Sequence, residues 1–355
     1  MKAIRIILVI INALAALGLV LTTLAGTMPP SRGMVLSLLS YGYVPMFLLN
    51  IAAALLWMLF KRWECLISIA AIAVRWSFVG LFVQVGGTAK MPDRAEHPQM
   101  FSLMTYNVHQ FQGQENRSSQ SDSNANALLA IIDKHRPDVL CMQEYAAPKT
   151  VRLTDSLAIR GYNHYYGAHT SQSGLPYGTV VFSKLPITYV RNIDAEKLLV
   201  ELMHDSGRLR VCCLHMDSYR FDESDREQID HMRHGEVDSS SRRTLAKVKE
   251  TVLSHEKEWT HGLREIVDES SVPMILAGDL NETPTSWLYH QITRRMTDTY
   301  CEKGSGMVAT YNGGFPRVRI DMVFHSEGLR TLSYKRIKSD MSDHYPVITS
   351  FEPTK

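Results

Sequence analysis

The segment Pro273-Met-Ile-Leu-Ala-Gly-Asp-Leu-Asn-Glu-Thr-Pro284 carries the most legible chemistry in this chain. Asp279 and Asn281 stand two residues apart at the exit of the apolar run Met274 to Ala277. In extended backbone that spacing turns both side chains to one face. A carboxylate beside a carboxamide at a strand end can take a proton from water and hold an anionic oxygen. Asp, Asn, Gly and Pro are also common turn formers, so the segment taken alone reads equally as a turn. Its company matters more. Asn107, Glu144, His215, Asp321, Asp343 and His344 also sit at or near the ends of apolar strands. Strand ends gathered on one rim place such residues around a single cleft. Carboxylates and amide oxygens without cysteine suit a hard cation, Mg²⁺ or Mn²⁺, and histidines beside it suit phosphoester cleavage. No P-loop or dinucleotide fingerprint is present, so nucleotide-driven and hydride chemistry have no support.

The elements that must position these groups can be read in order. Phe101-Ser-Leu-Met-Thr-Tyr-Asn-Val108 alternates as a strand with Asn107 near its end. Asp138-Val-Leu-Cys-Met-Gln-Glu144 is a second strand with Glu144 at its end, and Tyr177 to Phe182 is another. Lys197 to Met203 and Arg208 to Met216 flank the turn His204-Asp-Ser-Gly207 and predict a hairpin whose second arm carries His215. Arg319 to Phe324 predicts a strand with Asp321 inside it, and Ser342-Asp-His344 precedes a final strand, Tyr345 to Phe351. The Ser/Asn/Gln-rich stretch Gln112 to Asn126 reads as a loop. Ala127 to His135 reads as a helix closed by Pro137, and Trp287 to Ile292 as another. Asp222 to Ser270 is charged and predicts a surface insertion ending in an amphipathic helix within Thr244 to Val267.

The first hundred residues differ in kind. Ile4 to Gly26, Met34 to Phe60 and Leu66 to Val85 are apolar runs long enough for three membrane spans, each needing about 20 residues. The first exceeds the apolar core of a signal peptide, about 7–15 residues, although Thr23-Leu-Ala25 loosely resembles a cleavage site. Arg75 near the middle of the third run is costly at that depth and reads as a snorkelling residue, an interfacial helix or a polar contact inside the bundle. Three crossings set Lys2, Arg5, Lys61 and Arg62 on one face, against Arg32, Lys90 and Arg94 on the other. That balance predicts a catalytic part outside the cytoplasm. The resulting organisation is a membrane anchor over residues 1–86, a linker over 87–100 and a catalytic domain over 101–355.

Composition narrows the class. A net charge of +2 over 355 residues, without a long Lys/Arg run, gives no sign of strong nonspecific attraction to nucleic acid or anionic lipid. The cysteines Cys65, Cys141, Cys212, Cys213 and Cys301 form no CxxC pair, so a zinc site is not indicated. They read as free thiols, with one of the adjacent Cys212 and Cys213 facing the core.

With these pieces in order, the soluble part resembles the endonuclease/exonuclease/phosphatase superfamily, which includes DNase I-like nucleases, inositol polyphosphate 5-phosphatases and neutral sphingomyelinases. The resemblance rests on Thr105-Tyr-Asn-Val108, Gln143-Glu144, Gly178-Thr-Val-Val-Phe-Ser183 with Pro186, and Leu214-His215. It continues through Gly278-Asp-Leu-Asn281 with Pro284, Arg319-Ile-Asp321 and Ser342-Asp-His344, covering Phe101 to the C-terminus. The N-terminal unit ahead of such a domain resembles membrane-attached bacterial members.

The resemblance implies a four-layer α/β/β/α sandwich, here preceded by three transmembrane helices. It also implies roles. Glu144 would be the principal metal ligand, with Asn107 and Asp343 near the same ion. Asp279 would orient or deprotonate the attacking water. Asn281 and His215 would hold the phosphate, and so would His344, positioned by Asp321. One departure stands out. Some nucleases of the family pair the equivalent of His215 with an acid from the stretch before the Gly178 strand, yet Gly161 to Ile187 contains no Asp or Glu. The implied function is a membrane-anchored, Mg²⁺- or Mn²⁺-dependent phosphodiesterase at the bacterial inner membrane. Its expected partners are a nucleic acid or a phospholipid or phosphoinositide head group as substrate, and a lipid bilayer along residues 4–85. The competing reading is a noncatalytic receptor or scaffold that keeps the fold. It would be marked by loss of a metal ligand or of the base, and neither is lost in the sequence.

Overall fold

Apolar residues on both faces of a strand demand a layer on each side of it, and every residue of the Asn107-bearing strand is buried. The computed structural model describes residues 2–113, 118–148, 150–171, 174–194, 196–221, 223–233, 239–314 and 317–354. The strands that matter for the site are β1 Phe101–Asn107, β2 Val139–Tyr145, β3 His164–Thr170, β4 Pro176–Ser183, β5 Ile187–Asp194 and β6 Lys197–His204. They continue as β7 Gly207–His215, β8 Met274–Asp279, β9 Thr297–Asp298, β10 Asp321–His325, β11 Leu329–Arg336 and β12 Val347–Pro353.

These strands form two six-stranded sheets, ordered β11-β12-β1-β2-β4-β3 and β9-β10-β8-β7-β6-β5. Each sheet holds one parallel pair at its centre: β1 with β2 in the first, and β7 with β8 in the second. The other strand pairs in both sheets are antiparallel. Leu103, Val139, Val181 and Val347 of one sheet share a core with Val200, Val211, Ile275 and Val323 of the other. A second core lies on the outer face of the first sheet. There Met104, Leu140 and Phe182 pack with Leu128 and Ile132 of helix Ser121–His135 and with Leu157 of helix Leu153–Ile159. The outward residues Cys212 and Leu276 of the second sheet are buried as well, and Cys213 faces the core between the sheets. The architecture is thus the two-sheet sandwich with helices outside that the resemblance implies.

Several elements depart from the sequence reading. Helix Ser121–His135 starts six residues ahead of the expected Ala127, within a polar segment whose residues 114–117 lie outside the described residues. Ser, Asp and Asn in its first turn disguise it as a loop, since these residues favour turns and caps over helix interiors. It closes on Arg136, in a left-handed conformation just before Pro137. Asp321 is the first residue of its strand and not an interior one. The charged insertion contains helices Glu223–Arg233 and Ser239–Glu258, with residues 222 and 234–238 outside the described set.

The chain divides into two compact units. One comprises Val83–Met216, Gly262–Glu282 and Thr293–Lys355, and it contains both sheets. The other joins Met1–Phe82 to Asp217–His261 and Thr283–Ile292. Within that second unit, Lys2–Ala25 and Met34–Leu59 are long and apolar enough to cross a membrane, the features of membrane spans or, for the first, of a signal sequence. The expected third span is corrected. It forms only the ten-residue helix Cys65–Val74 and a single turn, Trp76–Val79, broken at Arg75. Inside the bundle, Arg5 Nε donates to Glu64 Oε1 at 2.7 Å, and Asn12 and Asn50 bond to the backbone carbonyls of Glu64 and Ala15. Ile4, Ile7, Ile11 and Leu14 remain exposed along the first helix.

Candidate active site

A parallel pair brings the C-terminal ends of both its strands to the same edge. With one such pair in each sheet, four strand ends supply Asn107, Glu144, His215 and Asp279. Asn107 is registered with Gln143, and His215 with Asp279. The antiparallel neighbour β10 begins where β8 ends, so Asp321 is registered with Asp279.

Local backbone aims these groups. Glu144 lies in a bulge, where the pairing of β2 with β4 slips between Met142 and Tyr145, and it takes φ 50°. Asn281 takes φ 51°, its N–H donating to Asp279 Oδ1 at 2.9 Å. Both are non-glycine residues in the left-handed region, where strain of about 1–3 kcal/mol is typical of functional sites. Gly278, at φ 153°, is required by a close approach: a Cβ there would meet the Leu214 carbonyl oxygen at 1.8 Å. The turn and the chemistry read from the Gly278–Asn281 segment are therefore one structure. The extended geometry expected between Asp279 and Asn281 is replaced by a tight turn. In it the Asn281 side chain donates to the Met216 carbonyl at 2.9 Å.

The side chains form a connected set. Asn107 Nδ2 donates to Glu144 Oε1 at 2.9 Å and to Asp279 Oδ2 at 3.1 Å. His215 Nε2 lies 3.6 Å from Glu144 Oε1 and 3.9 Å from Asp279 Oδ2. His344 Nδ1 donates to Asp321 at 2.9 Å, and its Nε2 lies 3.6 Å from Asp279 Oδ2. Asp343 joins less directly: the neighbouring Ser342 hydroxyl donates to the Asn107 carbonyl at 2.8 Å, and Asp343 Oδ1 lies 3.4 Å from His109 Nδ1.

Electrostatics follow from this packing. Burial alone would lower the pKa of His344, but Asp321 and Asp279 beside it push it up to about 10, so it stands as an imidazolium at neutral pH. Burial raises the Asp279 carboxyl, with Asp321 adding to the shift and His344 and His215 opposing it. Burial would likewise lower His215, yet Glu196, Asp279 and Glu144 together raise it.

Some site residues escape sequence reasoning. Glu196 lies 3.5 Å from His215 Nδ1, and it precedes the apolar strand that the sequence reading begins at Lys197. Tyr311 packs edge-on against His344 at 5.2 Å between ring centroids, and the Thr310 hydroxyl accepts the Asp321 N–H at 2.9 Å. Both come from a polar stretch without periodicity. Their only sequence signal is nearness to Arg319-Ile-Asp321.

A divalent cation fits the donor chemistry. Glu144, Asp279, Asp321 and Asp343 place four carboxylates around one fixed imidazolium and an amide, a surplus of hard anionic oxygen. The donor atoms of Asp279, Asp321 and His344 lie within 4.8 Å of one another, close enough to gather an ion. His344, however, is held protonated there and donates instead of ligating.

Residues 104–344 match the family model described as the Endonuclease/Exonuclease/phosphatase family, and residues 5–82 match one described as a domain of unknown function. The chain belongs to the endonuclease/exonuclease/phosphatase family, whose members are hydrolases acting on phosphoester bonds with divalent metals. No curated protein matches. Among solved structures, the chain is similar to an endonuclease/exonuclease/phosphatase from Beutenbergia cavernae DSM 12333, at 20% identity over 72% of each chain with a TM-score of 0.49. It is similar to the human Nocturnin catalytic domain with bound sulfate anion, at 17% identity over 75% of this chain and 100% of that one, with a TM-score of 0.48. A Bacteroides vulgatus endonuclease/exonuclease/phosphatase has 17% identity over 72% of this chain and 99% of that one, also at 0.48.

Proposed function

We propose that this chain is a membrane-attached phosphodiesterase that uses Mg²⁺ or Mn²⁺ to cleave nucleic acid or the head groups of phospholipids or phosphoinositides. The observation that carries this reading is the Asn107 amide bridging Glu144 and Asp279, one residue from each sheet. A cation held by Glu144, Asn107 and Asp343 would neutralise phosphate charge and polarise its oxygens.

The chain's own groups do the rest. Asp279 Oδ1 accepts the Asn281 N–H and Oδ2 the Asn107 amide, so the proton of the attacking water is taken by the remaining lone pair of Oδ2. Its raised pKa makes it a stronger base than an ordinary aspartate. With Nδ1 committed to Asp321, His344 presents Nε2–H to a phosphoryl oxygen as charge builds there. His215 turns its Nε2 to the same space. Asn281 is held beside the base to meet a further phosphoryl oxygen.

The membrane attachment rests on the two long apolar helices and on their exposed faces. The loop between these helices and the first turns of the second helix bond to later segments of the same unit. The Ser31 N–H donates to Glu256 at 2.7 Å, the Tyr41 and Tyr219 hydroxyls share a hydrogen bond at 2.6 Å, and Thr285 donates to the Ser40 carbonyl at 2.9 Å. These bonds favour a layout with that loop and residues 217–261 on one side of the bilayer. With a basic N-terminus inside, that layout favours a catalytic part on the non-cytoplasmic side of a bacterial inner membrane, and it requires the broken apolar run over residues 65–82 to carry the chain across once more.

The test uses the full chain in detergent. Bis(p-nitrophenyl) phosphate, p-nitrophenyl phosphate, DNA, RNA, sphingomyelin and phosphoinositides are each assayed with Mg²⁺ and with EDTA. Metal-dependent turnover of a diester is expected. Inactivity across the whole panel would return the chain to the receptor or scaffold reading.

A further inference from the structure

We propose that Glu196 orients His215, and so supplies the acid partner that Gly161 to Ile187 lacks. This rests on the phosphodiesterase reading above. Glu196 lies in the turn joining β5 to β6, in the other sheet from β4. Its Oε2 is 3.5 Å from His215 Nδ1, and its carbonyl accepts the His215 N–H at 2.9 Å.

The turn is built to hold that position. Asp194 Oδ1 accepts the Glu196 N–H at 2.9 Å, while its other oxygen accepts from Lys197 Nζ at 2.8 Å. On the far side, the buried Thr179 hydroxyl donates to the Glu196 carbonyl at 2.9 Å and lies 3.5 Å from Oε2. Thr179 belongs to the strand Pro176–Ser183 inside the acid-free stretch. That strand therefore still reaches the pair, through a hydroxyl that fastens a carboxylate borrowed from the opposite sheet.

Two facts make orientation the function of the contact. Both ring nitrogens of His215 are buried without a hydrogen bond of good geometry, so the imidazole can turn unless a charge fixes it. Glu196 approaches only the Nδ1 side, which keeps Nε2 facing Glu144 and Asp279. A carboxylate behind a histidine selects its tautomer and ring direction, and losing such a partner typically costs about 10–100-fold in activity.

The experiment compares full-length wild type with Glu196→Gln, Glu196→Asp and Thr179→Val, using bis(p-nitrophenyl) phosphate with Mg²⁺. Glu196→Gln should lower kcat about 10–100-fold with KM within about twofold, and Glu196→Asp should recover part of the loss. Nitrogen-15 spectra of histidine-labelled protein, with His215 assigned by its absence in His215→Asn, provide a readout independent of turnover. The Nδ1–H signal of His215 should be present in wild type and lost in Glu196→Gln. An unchanged His215 signal together with wild-type kcat in Glu196→Gln overturns the proposal. If wild type itself fails to hydrolyse the diester, the functional reading falls, while the spectra still decide whether Glu196 fixes the ring.

Discussion

Asp279 and Asp321 face each other as registered partners on adjacent antiparallel strands, and the His344 imidazolium bonds to one and approaches the other at 3.6 Å. Two like charges directly opposite on a sheet repel, and burial magnifies the cost. His344 is thus a structural counter-charge as well as a group of the proposed reaction.

Removing that counter-charge should show in stability. His344→Gln is expected to cost about 3–5 kcal/mol, as breaking a buried ion pair does. The double variant with Asp321→Asn should regain much of the melting temperature and none of the activity. Thermal denaturation of the three proteins checks this, and equal melting points would refute the counter-charge role.

Metal dependence follows from the surplus of oxygen donors. Activity should vanish in EDTA and return with Mg²⁺ or Mn²⁺. Glu144→Gln should raise the metal concentration needed for half-maximal rate while leaving the melting curve near wild type. Full turnover in chelator would rule out the cation.

Asp279→Asn keeps the size of the side chain and removes its charge. If Asp279 is the base, kcat should fall about 10²–10⁴-fold, with a smaller change in KM. Asn281→Asp instead puts a negative charge where a phosphoryl oxygen is proposed to sit, so KM should rise. Two folded variants with wild-type kinetics would reduce this segment to an ordinary turn.

Gly278→Ala tests the backbone argument separately. The φ alone costs about 1–3 kcal/mol for a residue with a Cβ, and the contact with the Leu214 carbonyl adds to it. A melting temperature unchanged from wild type would show that the β7–β8 pair tolerates separation.

Reporter fusions at the C-terminus test the membrane orientation. An alkaline phosphatase fusion should be active and a fluorescent cytoplasmic reporter dark. The reverse pattern would put the catalytic part in the cytoplasm.

Much of this site was legible because apolar runs end where its polar groups begin. Asn107, Glu144, His215 and Asp279 all close such runs, and the bounds of the runs put them at strand ends. What patterning cannot convey is which strands pair in parallel, and here that brings the four ends together. Nor does it reveal φ at Glu144 and Asn281, which depends on a bulge and a tight turn set by neighbouring strands. Glu196 stayed hidden because its link to His215 spans nineteen positions and depends on a turn held by Asp194. Arg75 did mark a weak point in the third apolar run. The length of that run nevertheless predicted a helix that the structure breaks in two.

The hydrogen bond from Thr285 to the Ser40 carbonyl has a practical consequence for anyone trimming this protein. Thr285 and the ring of His290, which packs 5.5 Å from Phe78, belong to the same compact unit as the N-terminal helices. A fragment cut after residue 86 would keep the family domain in name yet strip those side chains of their partners, four residues downstream of Asn281. Such a fragment should express poorly or aggregate, and its inactivity would say nothing about the enzyme. Purification with the N-terminal helices intact is the sounder starting point.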